Sequence, residues 1–354
     1  MINPPLRGAI VGFGNVAIHG HLPGWLERAD VRIVAATDTQ LTQQHAMADT
    51  LPHAQWFNTI ESLLAGMPLD FIDICTPPGT HSALIEAAMG HGLHVLCEKP
   101  LVSRLEDVQL LADLARCRQR VLYTVHNWHE APLIRKISEL LGQGLIGDLR
   151  SCVWQVLRTQ PAVANDAHGD NWRVNPDLAG GGVLLDHGWH ALYVLNAWMG
   201  RHPTRLRAQL EIRRHTQWPV EDTASLELEF PSGKANMFLT WAAETRTNEI
   251  RLEGTEGTIR VEDDWVLLNR AGDRTRKWSC PPSLSKGSHH PDWFGGVASR
   301  FLSALNGDTA EQARNLSEAA LCATLIAKAQ ESSRTGGIWL PVPVFTYSGH
   351  HSVS

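Results

Sequence analysis

A short glycine run constrains this chain more than anything else in it. An apolar segment, residues 6–12, leads into Gly12-Phe13-Gly14-Asn15-Val16-Ala17 and then into a helical pattern. Gly12 permits the tight turn out of a strand, Gly14 lets a pyrophosphate approach the backbone, and small Ala17 lets the helix lie close to the strand. The N-terminus of that helix then faces the negative charge. Such a turn carries weight only inside a repeating βα pattern, and the sequence supplies one. Apolar runs at 31–37, 71–75, 93–97 and 121–126 alternate with amphipathic stretches such as 82–90 and 105–118. That spacing predicts right-handed crossovers and a parallel sheet covered on both faces. The second run ends at Asp38, 21 residues past Ala17, and Thr39-Gln40-Leu41 brings no Arg or Lys. A carboxylate there accepts hydrogen bonds from ribose hydroxyls and repels a 2′-phosphate. The expected cofactor is therefore NAD rather than NADP, held by Gly12, Phe13, Gly14, Asn15, Val16 and Asp38.

At 354 residues the chain exceeds what one core usually supports, so two domains are expected. The texture changes after a linking helix at 132–141. Strand-like segments at 149–159, 205–213, 224–230, 235–240 and 249–253 follow, with turns at 231–233 and 254–257. Late helices are expected at 293–305 and 310–331. The fold class is α/β: a doubly wound Rossmann domain at 1–127, an α+β domain with a large, open, mostly antiparallel sheet at 128–345, and a polar tail at 346–354.

Charge and composition narrow the partners. Lys and Arg number 31 against 37 Asp and Glu, a net charge of −6 without a basic run, which excludes nucleic acid and an anionic membrane surface. No apolar stretch reaches the roughly 18 residues of a membrane span. The six cysteines are scattered, without a C-x-x-C pair, and the chain opens almost directly on a strand. Buried thiols in the cytoplasm are the expectation. The 18 histidines cluster at His19/His21, His187/His190 and His289/His290, but none has H-E-x-x-H spacing, so no metal is expected. Thirteen tryptophans serve core packing, with a surplus suited to presenting flat apolar faces to a sugar ring.

Hydride transfer from a secondary alcohol needs a group to take the hydroxyl proton and another to stabilise developing alkoxide charge. Lys99 follows the 93–97 strand at the carboxyl edge of the parallel sheet, where ligands bind in such folds. Asp186 and His190 stand four apart in a helical segment, 183–199, entered through Gly180-Gly181-Gly182. His190 is the better base in the oxidative direction, with Asp186 orienting it or holding a substrate hydroxyl.

Three further segments carry a resemblance: Cys75-Thr76-Pro77-Pro78-Gly79-Thr80-His81, Glu98-Lys99-Pro100, and Gly180 to His190. With the glycine turn, and in this order, they resemble the glucose–fructose oxidoreductase / inositol dehydrogenase (Gfo/Idh/MocA) family over roughly residues 5–345. The resemblance implies that Lys99, Asp186 and His190 form the catalytic trio and that Lys99–Pro100 is cis. It also implies that Thr76, Pro77, Glu98 and Lys99 lie along the cofactor. His81 either joins them or simply opens the next helix. His126, Asn127, His168, Asn171, Trp172 and Arg173 are candidate substrate contacts, with ordinary loop structure the alternative. The implied activity is NAD-dependent oxidation or reduction of a sugar, cyclitol or sugar derivative by a homodimer or homotetramer. The family also contains glycosidases that recycle the cofactor and a dinucleotide-binding regulator without turnover.

Overall fold

In the computed structural model, residues 4–163, 171–287 and 289–343 are described. His168 and the tail assigned to 346–354 lie outside the described residues. The first sheet comprises β1 (Leu6–Val11), β2 (Val31–Thr37), β3 (Gln55–Phe57), β4 (Phe71–Ile74), β5 (His94–Cys97) and β6 (Leu122–Thr124). Its helices are α1 (Leu22–Leu26), α2 (Gln43–Thr50), α3 (Ile60–Gly66), α4 (His81–Gly90) and α5 (Leu105–Arg118). All pairings are parallel, in the order β3-β2-β1-β4-β5-β6. The order reverses between β1 and β4, so their carboxyl ends open a crevice. Ala9, Ile72 and Val95 face one side of this sheet and Ile10, Phe71 and Leu96 the other, all fully buried. That two-sided burial explains the unbroken apolar runs. β3 was not expected, because Gln-Trp-Phe is too short to show a period.

α6 (Pro132–Gly142) leads into β7 (Leu149–Leu157), then α7 (Pro176–Ala179) and α8 (Trp189–Met199). Next come β8 (Arg205–Glu211), β9 (Thr223–Phe230), β10 (Gly233–Thr240), β11 (Thr247–Gly254), β12 (Gly257–Glu262), β13 (Trp265–Arg270) and β14 (Arg276–Ser279). α9 (Pro291–Leu305), α10 (Thr309–Arg334) and β15 (Leu340–Pro341) close the described chain. The second sheet has nine strands in the order β14-β13-β12-β11-β7-β10-β9-β8-β15. β7 and β10 are parallel and every other pair is antiparallel. Cys152, Trp154 and Val156 on β7 and Ile250 and Leu252 on β11 point inward by the period of two. α8 lies against this face with Trp189, Leu192, Tyr193 and Leu195 buried. β12 is implied only by the turn expected at 254–257, and β13, β14 and β15 are not among the expected strands; β14 is polar and β15 spans two residues.

The two sheets are stitched together by the late helices. Phe294, Val297 and Phe301 of α9 join the cluster formed by Ile10, Phe13, Trp25 and Phe71 on the first sheet. On α10, Asn315 accepts from the Thr124 N–H (2.7 Å) and donates to the Thr124 carbonyl (2.9 Å), closing the open edge of β6. Farther along, Ser332 accepts from the Ala208 N–H on β8. One helix thus spans both units and holds the cleft between them.

Candidate active site

The glycine turn has the conformation its sequence demands. Gly12 sits at φ +87°, and a Cβ there would strike the Thr76 methyl at 2.7 Å. At Gly14 a Cβ would meet nothing within 4 Å, which leaves the open approach a pyrophosphate needs. Ala17 is fully buried and begins a wide π-type turn, Ala17–His21, that precedes α1. Asp38 accepts from the Phe13 N–H (2.7 Å) and the Gln40 N–H (2.8 Å), so its carboxylate is fixed beside the glycine turn. The residues present fit a dinucleotide.

Two loops border the crevice. Thr76 and Thr80 share a 2.7 Å hydroxyl bond, and the Thr80 hydroxyl donates to the Pro77 carbonyl. His81 is fully buried, with Nδ1 2.9 Å from the Pro100 carbonyl and Nε2 2.9 Å from the Thr76 carbonyl. Burial pulls its pKa down, so the neutral ring donates to one of the two. It ties the loop after β4 to the loop after β5 and opens α4. The Lys99–Pro100 peptide in that second loop is cis.

Lys99 Nζ donates to the Asp186 carboxylate and to the Asp186 carbonyl, both at 3.0 Å. An ammonium has three donors, so one remains. Burial works against the Asp186 charge, but Lys99, then His187 and Arg173, outweigh it and hold the carboxyl well below the usual range. Asp186 lies in a second π-type turn, Leu184–Gly188, ahead of α8. Its start is held by Glu221, whose carboxylate accepts from the Gly182 and Leu184 N–H groups and whose backbone leaves no room for a Cβ at Gly182. Nothing in the local sequence marks Glu221 as the partner of that glycine.

His190 is stacked on Trp128, ring centroids 4.6 Å apart and 7° from parallel. Its Nδ1 lies 3.1 Å from the Tyr193 hydroxyl, which also accepts from the Trp128 N–H at 2.8 Å. Nε2 is left for the cleft. Burial first, and then Lys99, push the His190 pKa well below its ordinary value, so the ring is neutral at neutral pH. His187 accepts from Trp241 Nε1 at 3.3 Å, and burial takes it down to about 3.

On the other side of Lys99, His21 bridges carboxylates. Its Nδ1 donates to Asp73 (2.9 Å) and its Nε2 to Glu98 (3.0 Å), with Phe294 stacked on the ring at 4.0 Å. Burial opposes the charge, but Asp73 outweighs it and raises the His21 pKa well above the ordinary value. Glu98 is also buried, yet its bond to His21 lowers its pKa, and its other oxygen accepts from the Lys99 N–H at 2.9 Å. His21, Asp73 and Cys75 hold three potential metal-donor atoms within 4.8 Å. Burial pushes the Cys75 thiol up to about 12, and the imidazole is already bonded to carboxylates, so the group is internally satisfied.

One open cleft gathers Val16, Thr76, Glu98, Lys99, Asn127, Trp172, Arg173, Asp186 and His190. Arg173 stacks on Trp172 (4.3 Å) with Nε 3.9 Å from Asp186. His126 is placed elsewhere: 4% exposed, it donates from Nδ1 to Glu318 and accepts from Trp189 Nε1. The Asn171 side chain turns back on its own loop, donating to the Ala162 carbonyl and accepting from the Arg173 N–H. Cleft residues outside the site residues expected from the sequence include His21, Cys75, Arg158, His187 and Arg246. Arg158 and Arg246 had a signal: each continues the inward parity of its strand, after Val156 and before Asn248. Among the described residues, no helix is long and apolar enough to cross a membrane.

Comparison with known proteins fits this architecture. The family model described as "Oxidoreductase family, NAD-binding Rossmann fold" matches residues 6–126, and the GFO/IDH/MocA C-terminal domain matches residues 134–260. The D-glucoside 3-dehydrogenase of Escherichia coli (strain K12) is 32% identical over 203 residues, 55% of this chain and 55% of that protein. The chain thus spans about half the length of that relative. The D-apiose dehydrogenase of Paraburkholderia graminis is 28% identical over 293 residues, 78% of this chain and 73% of that one. An inositol dehydrogenase homolog from Azotobacter vinelandii, solved with NAD+, shares the fold at a TM-score of 0.81 and 21% identity, covering 96% of this chain and 98% of its own. With its parallel sheet matched by the NAD-binding Rossmann model and the β7–β12 part of its second sheet by the C-terminal model, the chain belongs to the GFO/IDH/MocA family of oxidoreductases.

Proposed function

We propose that this protein interconverts a secondary alcohol and a ketone on a sugar, cyclitol or sugar derivative, with NAD as cofactor. The observation that carries the proposal is the Lys99–Asp186 pair, which leaves one ammonium donor in a cleft that His190 also lines. Gly12, Phe13, Gly14, Asn15, Val16 and Asp38 would hold the dinucleotide, with Thr76, Pro77, Glu98 and Lys99 along its nicotinamide side. When bound, the nicotinamide supplies the hydride acceptor in oxidation and the donor in reduction.

The remaining steps belong to the chain. Lys99 donates to the reacting oxygen and stabilises negative charge there. Asp186 keeps that ammonium charged and aimed. In oxidation the hydroxyl proton passes to His190 Nε2; in reduction it returns from the same atom. The Tyr193 hydroxyl can accept from or donate to Nδ1, so it supports the ring in either tautomer. NAD is favoured over NADP because the Asp38 carboxylate, fixed beside the glycine turn, would repel a 2′-phosphate.

A panel of polyols and aldoses with NAD and NADP, read at the NADH absorbance band, tests this. Turnover with NAD that Lys99→Ala abolishes, while NADH binding persists, is the expected result. Preference for NADP overturns the reading of Asp38. Unchanged turnover in Lys99→Ala overturns the catalytic assignment.

A further inference from the structure

The charged groups lining the cleft among the described residues are Lys99, Arg158, Arg173, Arg246 and the His21 imidazolium against Glu98 and Asp186. Five cations face two carboxylates in a chain whose net charge is −6. Lys99 and Arg173 both face Asp186, and Glu98 is paired with His21. Arg158 and Arg246 remain. Arg158 is 1% exposed, and its guanidinium donates to the carbonyls of Leu157 (2.8 Å), Thr247 (3.0 Å) and Leu284 (3.0 Å). Arg246 donates to the carbonyls of Ser285 and Gly287. Among the described residues neither pairs with a carboxylate.

The strand register makes this costly. β7 and β11 pair Leu157 with Thr247, so Arg158 and Arg246 come just past the last paired residues, Arg158 buried and Arg246 exposed at the cleft. Like charges this near repel, and Arg158, a buried cation, would normally have a counter-charge. Three of the five Arg158 donors are taken by carbonyls. The Nε–H is buried without a partner. With the remaining Nη2 hydrogen it forms a two-pronged edge, the shape that matches one planar carboxylate.

We propose that Arg158 and Arg246 bind the carboxylate of an acidic sugar, so that the substrate of this site is a uronic or aldonic acid. The inference rests on the oxidoreductase reading above and specifies its substrate. The sheet supplies the acid-binding end of the cleft, and the Lys99–Asp186–His190 end performs the chemistry.

The test uses the full chain with NAD and matched gluco, galacto and manno series of aldose, uronic acid, aldonic acid and hexose 6-phosphate. An acid should exceed its neutral partner in kcat/KM on the order of 100-fold, chiefly through KM, as expected for charge-assisted recognition. Arg246→Gln should raise the KM for the acid roughly 10- to 100-fold and shrink the acid-to-neutral ratio, with partial recovery in Arg246→Lys. The wild-type ratio decides the matter even where a variant fails to fold. Neutral sugars turned over as well as the acids would overturn the proposal and leave the oxidoreductase reading standing. Better turnover of the phosphate esters would overturn the carboxylate assignment. Calorimetric binding of acids to the NAD-loaded protein, without NADH formed from any compound, would keep the anion site and sink the oxidoreductase reading.

Discussion

The two walls of the cleft handle charge in opposite ways. On the wall built from the parallel sheet, the charges are matched: Asp73 to His21, His21 to Glu98, and Lys99 across to Asp186. On the wall built from β7 and β11, Arg158 and Arg246 rest on backbone carbonyls with no described carboxylate. A matched network is rigid and costly to disturb, which suits a reaction that stays the same from one substrate to the next. An unmatched pair of cations awaits a charge from outside. The difference divides the cleft into a chemical wall and a recognition wall.

The largest test of that division is Lys99→Met. It removes the donor to the reacting oxygen and leaves the Asp186 carboxylate buried without its main partner. A fall in kcat of roughly ten-thousand-fold is expected, because the donor to the reacting oxygen is lost and the uncompensated Asp186 carboxylate repels the charge that develops there. NADH binding, followed by fluorescence, should weaken far less. An equal loss in binding and turnover would make Lys99 a cofactor contact only and erase the division.

Next in size is His190→Asn, expected to lower kcat roughly a thousand-fold. Its pH profile sharpens the point. The neutral ring is the base, and burial beside Lys99 lowers its pKa. Oxidation should therefore stay flat as pH falls from 7 past the ordinary histidine value near 6.5 and decline only below it. An acid limb at or above 6.5 would remove His190 from the base role.

These residues were legible in the sequence to different degrees, for a physical reason. The glycine turn, Asp38 and the Lys99, Asp186 and His190 positions are each marked by local spacing within one βα unit or, for Asp186 and His190, across a π-type turn and the helix that follows it. The links between walls are not local. His21 meets Asp73 across 52 residues, and Asn315 meets Thr124 across 191. Such pairs follow from sheet order and helix packing, which no short window contains. His126 illustrates the reverse. As the last residue of an apolar run it is expected at the sheet edge beside the substrate, but β6 ends at Thr124, and α8 and α10 enclose the ring between Trp189 and Glu318. Arg158 and Arg246 fall between these cases: parity puts each on the cleft side of its strand, and the β7–β11 register, which ends at Leu157 and Thr247, brings both to one edge of the cleft.

A smaller effect is expected at the adenosine end, outside both walls. Asp38→Ser removes a carboxylate that accepts two backbone N–H bonds and repels a 2′-phosphate. The KM for NAD should rise roughly 10- to 100-fold, the range for losing charge-assisted bonds, while NADP becomes a usable cofactor. The acid-to-neutral substrate ratio should not change, since the recognition wall is untouched. A change in that ratio would couple two sites that the structure keeps apart.

Tyr193→Phe should have the mildest effect, and it probes how the chemical wall is tuned. The phenol oxygen accepts from the Trp128 N–H and meets His190 Nδ1, while Trp128 stacks on the same imidazole. Removing the hydroxyl leaves the ring stacked but takes away its partner at Nδ1. The imidazolium loses an acceptor for a charged donor, whereas the neutral ring loses only an ordinary bond. The charged form suffers more, because charge-assisted hydrogen bonds are about twice as strong. The already low His190 pKa should therefore fall further, moving the acid limb of oxidation to lower pH, with kcat reduced about tenfold or less. The orphaned Trp128 N–H should cost about 1–3 kcal/mol of stability in chemical denaturation. An acid limb that moves up instead would mean that the Tyr193 proton, not its lone pair, dominates the contact, and that His190 spends its resting state with the proton on Nε2.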